Sequence, residues 1–185
     1  REKARATQCN ANLKQLGLAL IQYTEHYKRY IPPYPMVMDS APNYIDTVAL
    51  NKYIKDVRVF QCPSHEVEFD EAAVNSGEMA YTWNREMLRN VRMSSVEYPS
   101  RAWALADATE NYNPASSDRW TFAFGTSVDP AKRLGTFHSD GSNVLFLDGH
   151  TTWMSVEDGL WAKGKTVAEV EADDDLAKFW AGETF

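Results

Sequence analysis

The residues most capable of chemistry concentrate in residues 137–155, which read FHSDGSNVLFLDGHTTWMS and include two of the four histidines. Imidazole nitrogens and carboxylate oxygens serve metal-assisted hydrolases as ligands and as general bases. The candidates here are His138, Asp148 and His150, with Asp107 further upstream. A metal centre needs three or four converging ligands, and the sequence has neither an H-x-x-x-H nor a C-x-x-C spacing. The pattern therefore does not favour an enzyme.

The two cysteines are the other reactive candidates. Cys62 precedes Pro63 and His65, but residues of a strand alternate between its faces, which disfavours a cysteine–histidine dyad there. The sequence also has no Gly-x-Ser-x-Gly elbow and no P-loop. One bridge between Cys9 and Cys62 and two free thiols are both compatible with this count.

The segment NVLFLDGHTTWMS predicts a β-hairpin, because Asp-Gly suits a type I′ turn. With Asp148 and Gly149 at the centre of that turn, Leu147 pairs with His150. The two runs are apolar on both faces, so we expect them inside a sheet that is covered on at least one side. His138 and Asp148 then lie at opposite ends of one strand, and we expect His138 to hydrogen-bond to the backbone of its own loop.

The N-terminal segment predicts a long amphipathic helix that covers this sheet. Its apolar residues follow a spacing of 4, 3, 4, 3, 4, 3, which is one stripe of an α-helix, before prolines at 32, 33 and 35 end it. The stripe residues are Cys9, Leu13, Leu16, Leu20, Tyr23, Tyr27 and Tyr30. Arg1, Lys3 and Arg5 oppose the helix dipole at its start, so we expect the helix to continue upstream.

The remaining elements predict an α+β fold. Residues 40–54 suggest a short helix, and residues 64–78 suggest mostly loop. VRVFQCP and MAYTWN are strand candidates, and RAWALADAT and RWTFAF are favoured as strands by their period-2 alternation and aromatic content. The last residues, from about 166, suggest one or two short helices.

The overall composition limits the classes of function. A chain of 185 residues that is 44% hydrophobic suits one globular domain. The net charge of −7 argues against a nucleic-acid partner, because the chain has no basic excess to neutralise phosphates. No run approaches the 18 apolar residues typical of a membrane span.

Several motifs together resemble a large family of bacterial prepilin-like proteins, which are relatives of type IV pilins and type II secretion pseudopilins. FHSDGSNVLFLDGH resembles the family's H-x9-D-G signature, formed here by His138, Asp148 and Gly149. The first 33 residues are similar to the family's stretch after its membrane helix. VFQCPS and AYTWN resemble its mid-chain Cys-Pro and its aromatic segment ending in Asn. The resemblance runs from residue 1 to about 156.

The resemblance implies one pilin-like domain over residues 1–185, with a long N-terminal helix packed on an antiparallel sheet and a C-terminal Asp-Gly hairpin. Residues 1–31 would be the lower half of the helix, residues 32–156 the α/β head, and residues 157–185 a C-terminal extension. An upstream apolar helix would anchor the protein in the inner membrane. The head would lie in the periplasm or in a surface fibre, where disulfides are permitted.

The function implied is that of a non-enzymatic subunit of a type II secretion or type IV pilus-like assembly. Its partners would be other pilin-like subunits and assembly proteins, together with the membrane. No cofactor is expected, although major pseudopilins hold a calcium ion in a loop near the C-terminus. The candidate calcium ligands are Asp140, Asp148, Asp158 and residues 173–175, and no D-x-D-x-D-G spacing selects among them.

The main alternative is a polysaccharide-binding module on the same scaffold. Six tryptophans and nine tyrosines could provide stacking platforms for sugars. Trp120, Trp161 and Trp180 are the candidates, because they lie in or near polar segments.

Overall fold

The computed structural model describes residues 1–26, 31, 53–65, 68, 70–75, 79–84, 91–108, 121–122, 134–155, 157–161, 167–180 and 182. The helices within these ranges are α1 (Glu2–His26), α2 (Glu71–Asn75), α3 (Val167–Glu171) and α4 (Asp174–Trp180). The strands are β1 (Tyr81–Asn84), β2 (Trp103–Asp107), β3 (Thr121–Phe122), β4 (Gly141–Phe146) and β5 (Thr151–Ser155). Short 3₁₀ helices span Val57–Phe60, Met93–Ser95 and Gly159–Trp161.

The strands form one sheet in the order β3-β1-β2-β4-β5. The pairs β1–β2, β2–β4 and β4–β5 are antiparallel, and the two-residue strand β3 joins β1 in parallel. Together with α1, this sheet confirms the predicted α+β class. Strands β1, β2 and β4 are buried along their whole length. Such burial requires a cover on each face of the sheet.

Helix α1 covers one face. Its predicted stripe is buried at Leu13, Leu16, Leu20 and Tyr23, which are 0–8% exposed. These side chains pack in one apolar cluster with residues of β1, β2 and β4. The stripe prediction is thereby confirmed within α1, while Tyr27 and Tyr30 lie outside the described residues.

The C-terminal residues cover the second face. Trp161, Phe179 and Trp180 pack around Trp103 of β2, with ring centroids 5.3–6.3 Å from the Trp103 ring. Val170 and Leu176 belong to the same cluster. The described residues among 157–182 thus form a packed layer of the fold, which explains why β2 carries apolar side chains on both faces.

One local prediction was wrong, and one segment predicted to be mostly loop contains a short helix. VRVFQCP was expected to be a strand, but Val57–Phe60 is a 3₁₀ helix. Asp56 accepts the backbone N–H of Arg58 at 3.0 Å, and this cap starts a turn that outweighs the β propensity of two valines. The expected loop at 64–78 contains the short helix α2, in which Asp70 accepts the Ala73 N–H at 2.8 Å.

Two strand predictions were confirmed, and two other predictions fall largely on residues that the structure does not describe. MAYTWN and RAWALADAT contain β1 and β2, as expected. The predicted helix at 40–54 falls mostly on residues that the structure does not describe. Of the RWTFAF segment, only the two residues of β3 are described.

The predicted pairing of β4 with β5 was wrong by one residue. Val144 and Leu145 face Thr152 and Thr151, rather than Trp153 and Thr152. The Leu147 N–H donates to Ala102 O at 2.9 Å, which draws this residue toward the segment before β2. Of the predicted turn pair only Gly149 has a positive φ, +89°, so a type I′ turn is not formed.

Within the described part of the chain, none of the helices has the length and apolar character needed to cross a membrane.

Candidate functional site

Four buried side chains with chemically reactive groups meet between α1 and the sheet. They are Cys9, Cys62, Asp107 and His138, and one ligand atom of each lies within 4.8 Å of those of the others. We call this group the cysteine–histidine cluster. Its members come from α1, the segment after the first 3₁₀ helix, the end of β2 and the loop before β4.

The structure joins Cys9 and Cys62 in a disulfide, one of the two states that the sequence allowed. Their Cα atoms are 5.2 Å apart, within the usual range for a bridge. The bridge ties α1 to the chain before β1 across a separation of 53 residues. By closing a loop of that length, the bridge lowers the conformational entropy of the unfolded chain, and this stabilises the fold by about 4 kcal/mol.

His138 lies against this disulfide and is 2% exposed. Its Nε2 is 3.4 Å from Cys62 Sγ and 3.5 Å from Asp107 Oδ2. Its Nδ1 is 2.8 Å from Glu2 Oε1. Because an ionised carboxylate only accepts, Nδ1 carries the proton and donates to Glu2. The expectation that His138 bonds to its own loop's backbone was wrong, since its ring contacts side chains of distant elements.

The loop that orients His138 has unusual backbone geometry. Ser139 and Asp140 have φ values of 60° and 59°, in the left-handed region. Two consecutive left-handed residues other than glycine are costly and need support from their surroundings. Trp153 provides part of this support, because its Nε1 donates a hydrogen bond to the His138 carbonyl at 2.6 Å. The loop therefore turns sharply between the buried imidazole and β4.

Asp107 is a buried carboxylate with one paired oxygen. Its Oδ2 accepts the backbone N–H of Asn143 at 2.7 Å and the Asn143 side chain at 3.1 Å. Its Oδ1 is buried and has no hydrogen-bond partner among the described residues. Burial raises the pKa of Asp107 to about 6, while the facing His138 and the Asn143 hydrogen bonds oppose that rise.

Glu2 forms the outer edge of the cluster, with its side chain 42% exposed. Ser64 Oγ donates to Glu2 Oε1 at 2.9 Å. Partial burial raises the pKa of Glu2, but the hydrogen bonds from His138 and Ser64 outweigh it and hold that pKa below the usual glutamate value. His138 thus sits between one outer carboxylate and one buried carboxylate.

A polar cavity of about 640 Å³ adjoins the cluster, and Cys62 forms part of its wall. Gln8 and Asn12 of α1 line one side of it, and His65 and Glu68 also contribute. His65 was the histidine considered for Cys62 from the sequence, but the ring beside Cys62 Sγ is that of His138. The cavity therefore borders the residue at the Cys62 end of the disulfide, which is itself 2% exposed.

Asp148 lies apart from this cluster. Its Oδ1 is 2.5 Å from His150 Nδ1, and the two side chains are 34% and 46% exposed. The two ends of the H-x9-D-G segment therefore occupy opposite ends of β4, with His138 buried and Asp148 at the surface. The proposed hydrolase set of His138, Asp148, His150 and Asp107 does not converge, because only His138 and Asp107 meet.

The calcium candidates do not gather either. Asp140 is exposed, Asp148 pairs with His150, and Asp158 accepts the Leu160 N–H at 2.9 Å. Across the described ranges, the one group of three or more potential metal ligands is the cysteine–histidine cluster.

Glu2 is the member of this site that sequence reasoning missed. Nothing in the local sequence around Glu2 marks it as a histidine partner. Asp107 carried a usable signal in the sequence, because it ends the apolar segment WALAD. A carboxylate in so apolar a strand is rarely buried without a specific partner.

One comparison with known proteins gave a match. A family model described as "Protein of unknown function (DUF1559)" matches residues 1–44. No curated protein and no solved structure matches the chain. The match covers α1, with Glu2 and Cys9, while Cys62, Asp107 and His138 lie beyond it.

Proposed function

We infer that this protein is a non-enzymatic, pilin-like subunit of a type II secretion or type IV pilus-like assembly. An upstream apolar helix would hold it in the inner membrane, with the head on the periplasmic side or in a fibre. The observation that carries this proposal is α1, a helix of 25 residues packed lengthwise on an antiparallel sheet. The segment resembling the prepilin-like proteins includes α1, and the family match covers the same helix.

The two faces of α1 support a role in assembly. The inner face is used by the head itself, through Leu13, Leu16 and Leu20. The outer face carries Leu18, which is 62% exposed, next to the exposed residues Lys14 and Gln22. A neighbouring subunit that packs along this face of α1 would cover Leu18 and remove it from water. Repetition of such a contact between unlike surfaces builds a fibre.

The chemistry of the cluster is compatible with a structural role. The disulfide ties α1 to the head at Cys9, and the Glu2–His138 hydrogen bond ties its first turn to the loop before β4. A subunit that transmits force along α1 needs such ties between helix and head. The two sulfurs are bonded to each other and offer no nucleophile in this state.

The polysaccharide-binding alternative finds less support. Trp161 and Trp180 are each 0% exposed and form the core under the C-terminal layer, so they are not available to stack on sugars. Trp120, the third candidate, lies outside the described residues. Trp153 is 48% exposed, but its Nε1 is committed to the His138 carbonyl.

Site-specific photo-crosslinking in cells that make the complete protein tests the proposal. A photo-reactive residue at Leu18 should capture another pilin-like subunit or a second copy of this chain. The matched control is position 169 in α3, an exposed site on the opposite face of the sheet. Equal capture at both positions, or capture at neither in cells with intact assemblies, would contradict the proposed role of the outer face of α1.

A further inference from the structure

We propose that the cysteine–histidine cluster is a zinc site when Cys9 and Cys62 are reduced. The ligands are Cys9 Sγ, Cys62 Sγ, His138 Nε2 and one carboxylate oxygen of Asp107. The cluster then has two exclusive states, a disulfide or a Zn²⁺ centre. This inference is independent of the proposed assembly role, because it concerns only side chains inside the head.

The geometry fits a tetrahedral ion. Zinc–sulfur bonds of about 2.3 Å and zinc–nitrogen or zinc–oxygen bonds of about 2.0 Å place neighbouring ligand atoms about 3.3–3.8 Å apart. Cys62 Sγ lies 3.4 Å from His138 Nε2, and His138 Nε2 lies 3.5 Å from Asp107 Oδ2. The two sulfurs are closer than a tetrahedron requires, since they are bonded, and the remaining ligand atoms lie within 4.8 Å of one another. Breaking that bond frees them to separate to about 3.8 Å.

The surroundings of the ligands match those of metal-bound residues. A histidine that binds zinc through one nitrogen usually donates the other N–H to a carboxylate. His138 does so, because Nδ1 donates to Glu2 and Nε2 faces the sulfurs. Ser64 in turn donates to Glu2. The imidazole is thereby held in the tautomer that leaves Nε2 free to bind a metal ion.

The buried carboxylate supplies an independent observation. Asp107 is 0% exposed, and its Oδ1 has no hydrogen-bond partner among the described residues. A buried acceptor without a partner costs about 1–3 kcal/mol and calls for an explanation. Asn143 fixes Oδ2, so the carboxylate group is already oriented. A cation held between the two sulfurs and Nε2 would neutralise this buried carboxylate, which faces the site through Oδ2.

The donor atoms select zinc. Two thiolates, one imidazole and one carboxylate suit Zn²⁺, whereas calcium and magnesium prefer oxygen ligands. Four protein ligands close the coordination sphere, which is typical of structural zinc. The ion would therefore brace α1 against the sheet in place of the disulfide.

The change from the disulfide to the zinc state needs an external two-electron reductant, such as a dithiol. A thiolate of that dithiol attacks Cys62 Sγ, the Cys9–Cys62 bond breaks, and Cys9 leaves as a thiolate. The second thiol of the reagent then displaces Cys62 and forms the reagent's own disulfide, so two electrons pass to the protein. Zn²⁺ binds the two thiolates, with loss of any protons that they had taken up. The cavity that borders Cys62 lies on the side from which the reagent would approach.

The test is metal titration of the oxidised and the reduced chain, with a phosphine as reductant because it does not bind zinc as dithiols do. Co²⁺ is the optical probe, and Zn²⁺ should displace it at one ion per chain. The reduced chain should show thiolate-to-cobalt charge transfer and the intense visible bands of tetrahedral cobalt. The oxidised chain should show neither.

Variants make the assignment specific. His138→Gln should abolish the tetrahedral spectrum, and Glu2→Gln should weaken zinc binding by about 10–100-fold, as loss of an outer partner does. Glu2 is partly exposed, so its variant is expected to fold, and circular dichroism verifies this. His65→Gln, on the same cavity but outside the cluster, should bind as the parent does. Absence of thiolate–cobalt bands in folded reduced protein, or equal affinity of the parent, His138→Gln and Glu2→Gln, would overturn the proposal.

Discussion

His138 Nδ1 lies 2.8 Å from Glu2 Oε1, so the loop before β4 is bonded to the first turn of α1 across a sequence separation of 136 residues. Nearby, the disulfide joins α1 at Cys9 to the segment after the first 3₁₀ helix. These two ties hold the N-terminal half of α1, while the apolar stripe holds the rest. We therefore expect the stability of the head to depend on a few polar contacts at one end of the helix.

Replacing Glu2 with Gln should lower the free energy of unfolding of the oxidised chain by about 1 kcal/mol. The change weakens a charge-assisted hydrogen bond to His138. The loss is modest because the Glu2 side chain is partly exposed to solvent. Urea denaturation measures the change. Arg5→Gln is the control, since its contact with Glu2 is 3.9 Å long and exposed. A loss in the Arg5 variant as large as that in the Glu2 variant would show that the Glu2–Arg5 ion pair, not the His138 contact, sets the effect.

Removing the disulfide through the double change Cys9→Ala and Cys62→Ala should lower the free energy of unfolding by about 4 kcal/mol, since the unfolded chain regains the entropy of a loop of about 54 residues. Denaturant titration measures this loss. The oxidised parent should give no free thiol in a thiol assay under denaturing conditions. Two free thiols in that assay would contradict the bridge.

The stability of the oxidised, metal-free chain should also depend on pH through Asp107. The pKa of Asp107 in the folded chain, about 6, is above its value in the unfolded chain. The folded state therefore favours the protonated carboxyl group. This contribution to stability is fully present below about pH 4 and is lost as the pH rises to about 6. A rise of about two pKa units corresponds to about 3 kcal/mol. Titratable groups nearby are His138 and Tyr81, with Glu2 beyond His138.

The variant Asp107→Asn removes the titrating carboxyl group and so isolates its contribution to the pH dependence of stability. Relative to the parent, the variant should gain about 3 kcal/mol of stability between pH 4 and pH 7, as measured by denaturation in the presence of a chelator. Asp140→Asn is the matched control, because Asp140 is exposed and asparagine also tolerates its positive φ. A parallel pH profile for the parent and Asp107→Asn would contradict the burial of a titrating carboxylate.

Gly149→Ala should destabilise the head by about 1 kcal/mol or more, because Gly149 has a φ of +89° and alanine is strained there. An added Cβ would also lie 3.3 Å from Ile21 Cδ1 of α1. The melting temperature should fall by about 2–4 °C for each kcal/mol. Gly159→Ala is the control, since a Cβ there meets nothing within 4 Å. An unchanged melting temperature for Gly149→Ala would count against the observed turn.

Trp161→Ala should cost about 3–5 kcal/mol, because Trp161 is fully buried in the layer formed after residue 156. Calorimetry or denaturation measures the loss. Leu18→Ala should cost much less, since Leu18 is 62% exposed. Similar small losses for both variants would mean that the C-terminal layer does not pack as the structure has it.

The sequence predicted the parts of the fold that local periodicity determines. The α1 stripe has a helical period over more than four turns, and β1 and β2 carry β-branched and aromatic residues, so each element could be identified alone. The strand predicted at Val57–Phe60 failed because one capping side chain, Asp56, outweighed propensity. The pairing of β4 with β5 failed because Leu147 bonds to Ala102, a contact that no local pattern contains.

The site was less predictable than the fold. Cys62 and His138 are 76 residues apart, and their contact depends on a loop with two left-handed residues, Ser139 and Asp140. Asp107 meets them only because β2 lies beside β4. Sequence reasoning grouped His138 with Asp107 and Cys9 with Cys62, but only the fold brings the two pairs together.

The most direct test of the central claim is the N-terminal sequence of the mature protein, determined by mass spectrometry on membranes of cells that make it. A pilin-like subunit should begin with an apolar segment of about 20 residues, cleaved from a short leader and running directly into α1. A mature protein in which α1 is the first element would contradict the proposed function.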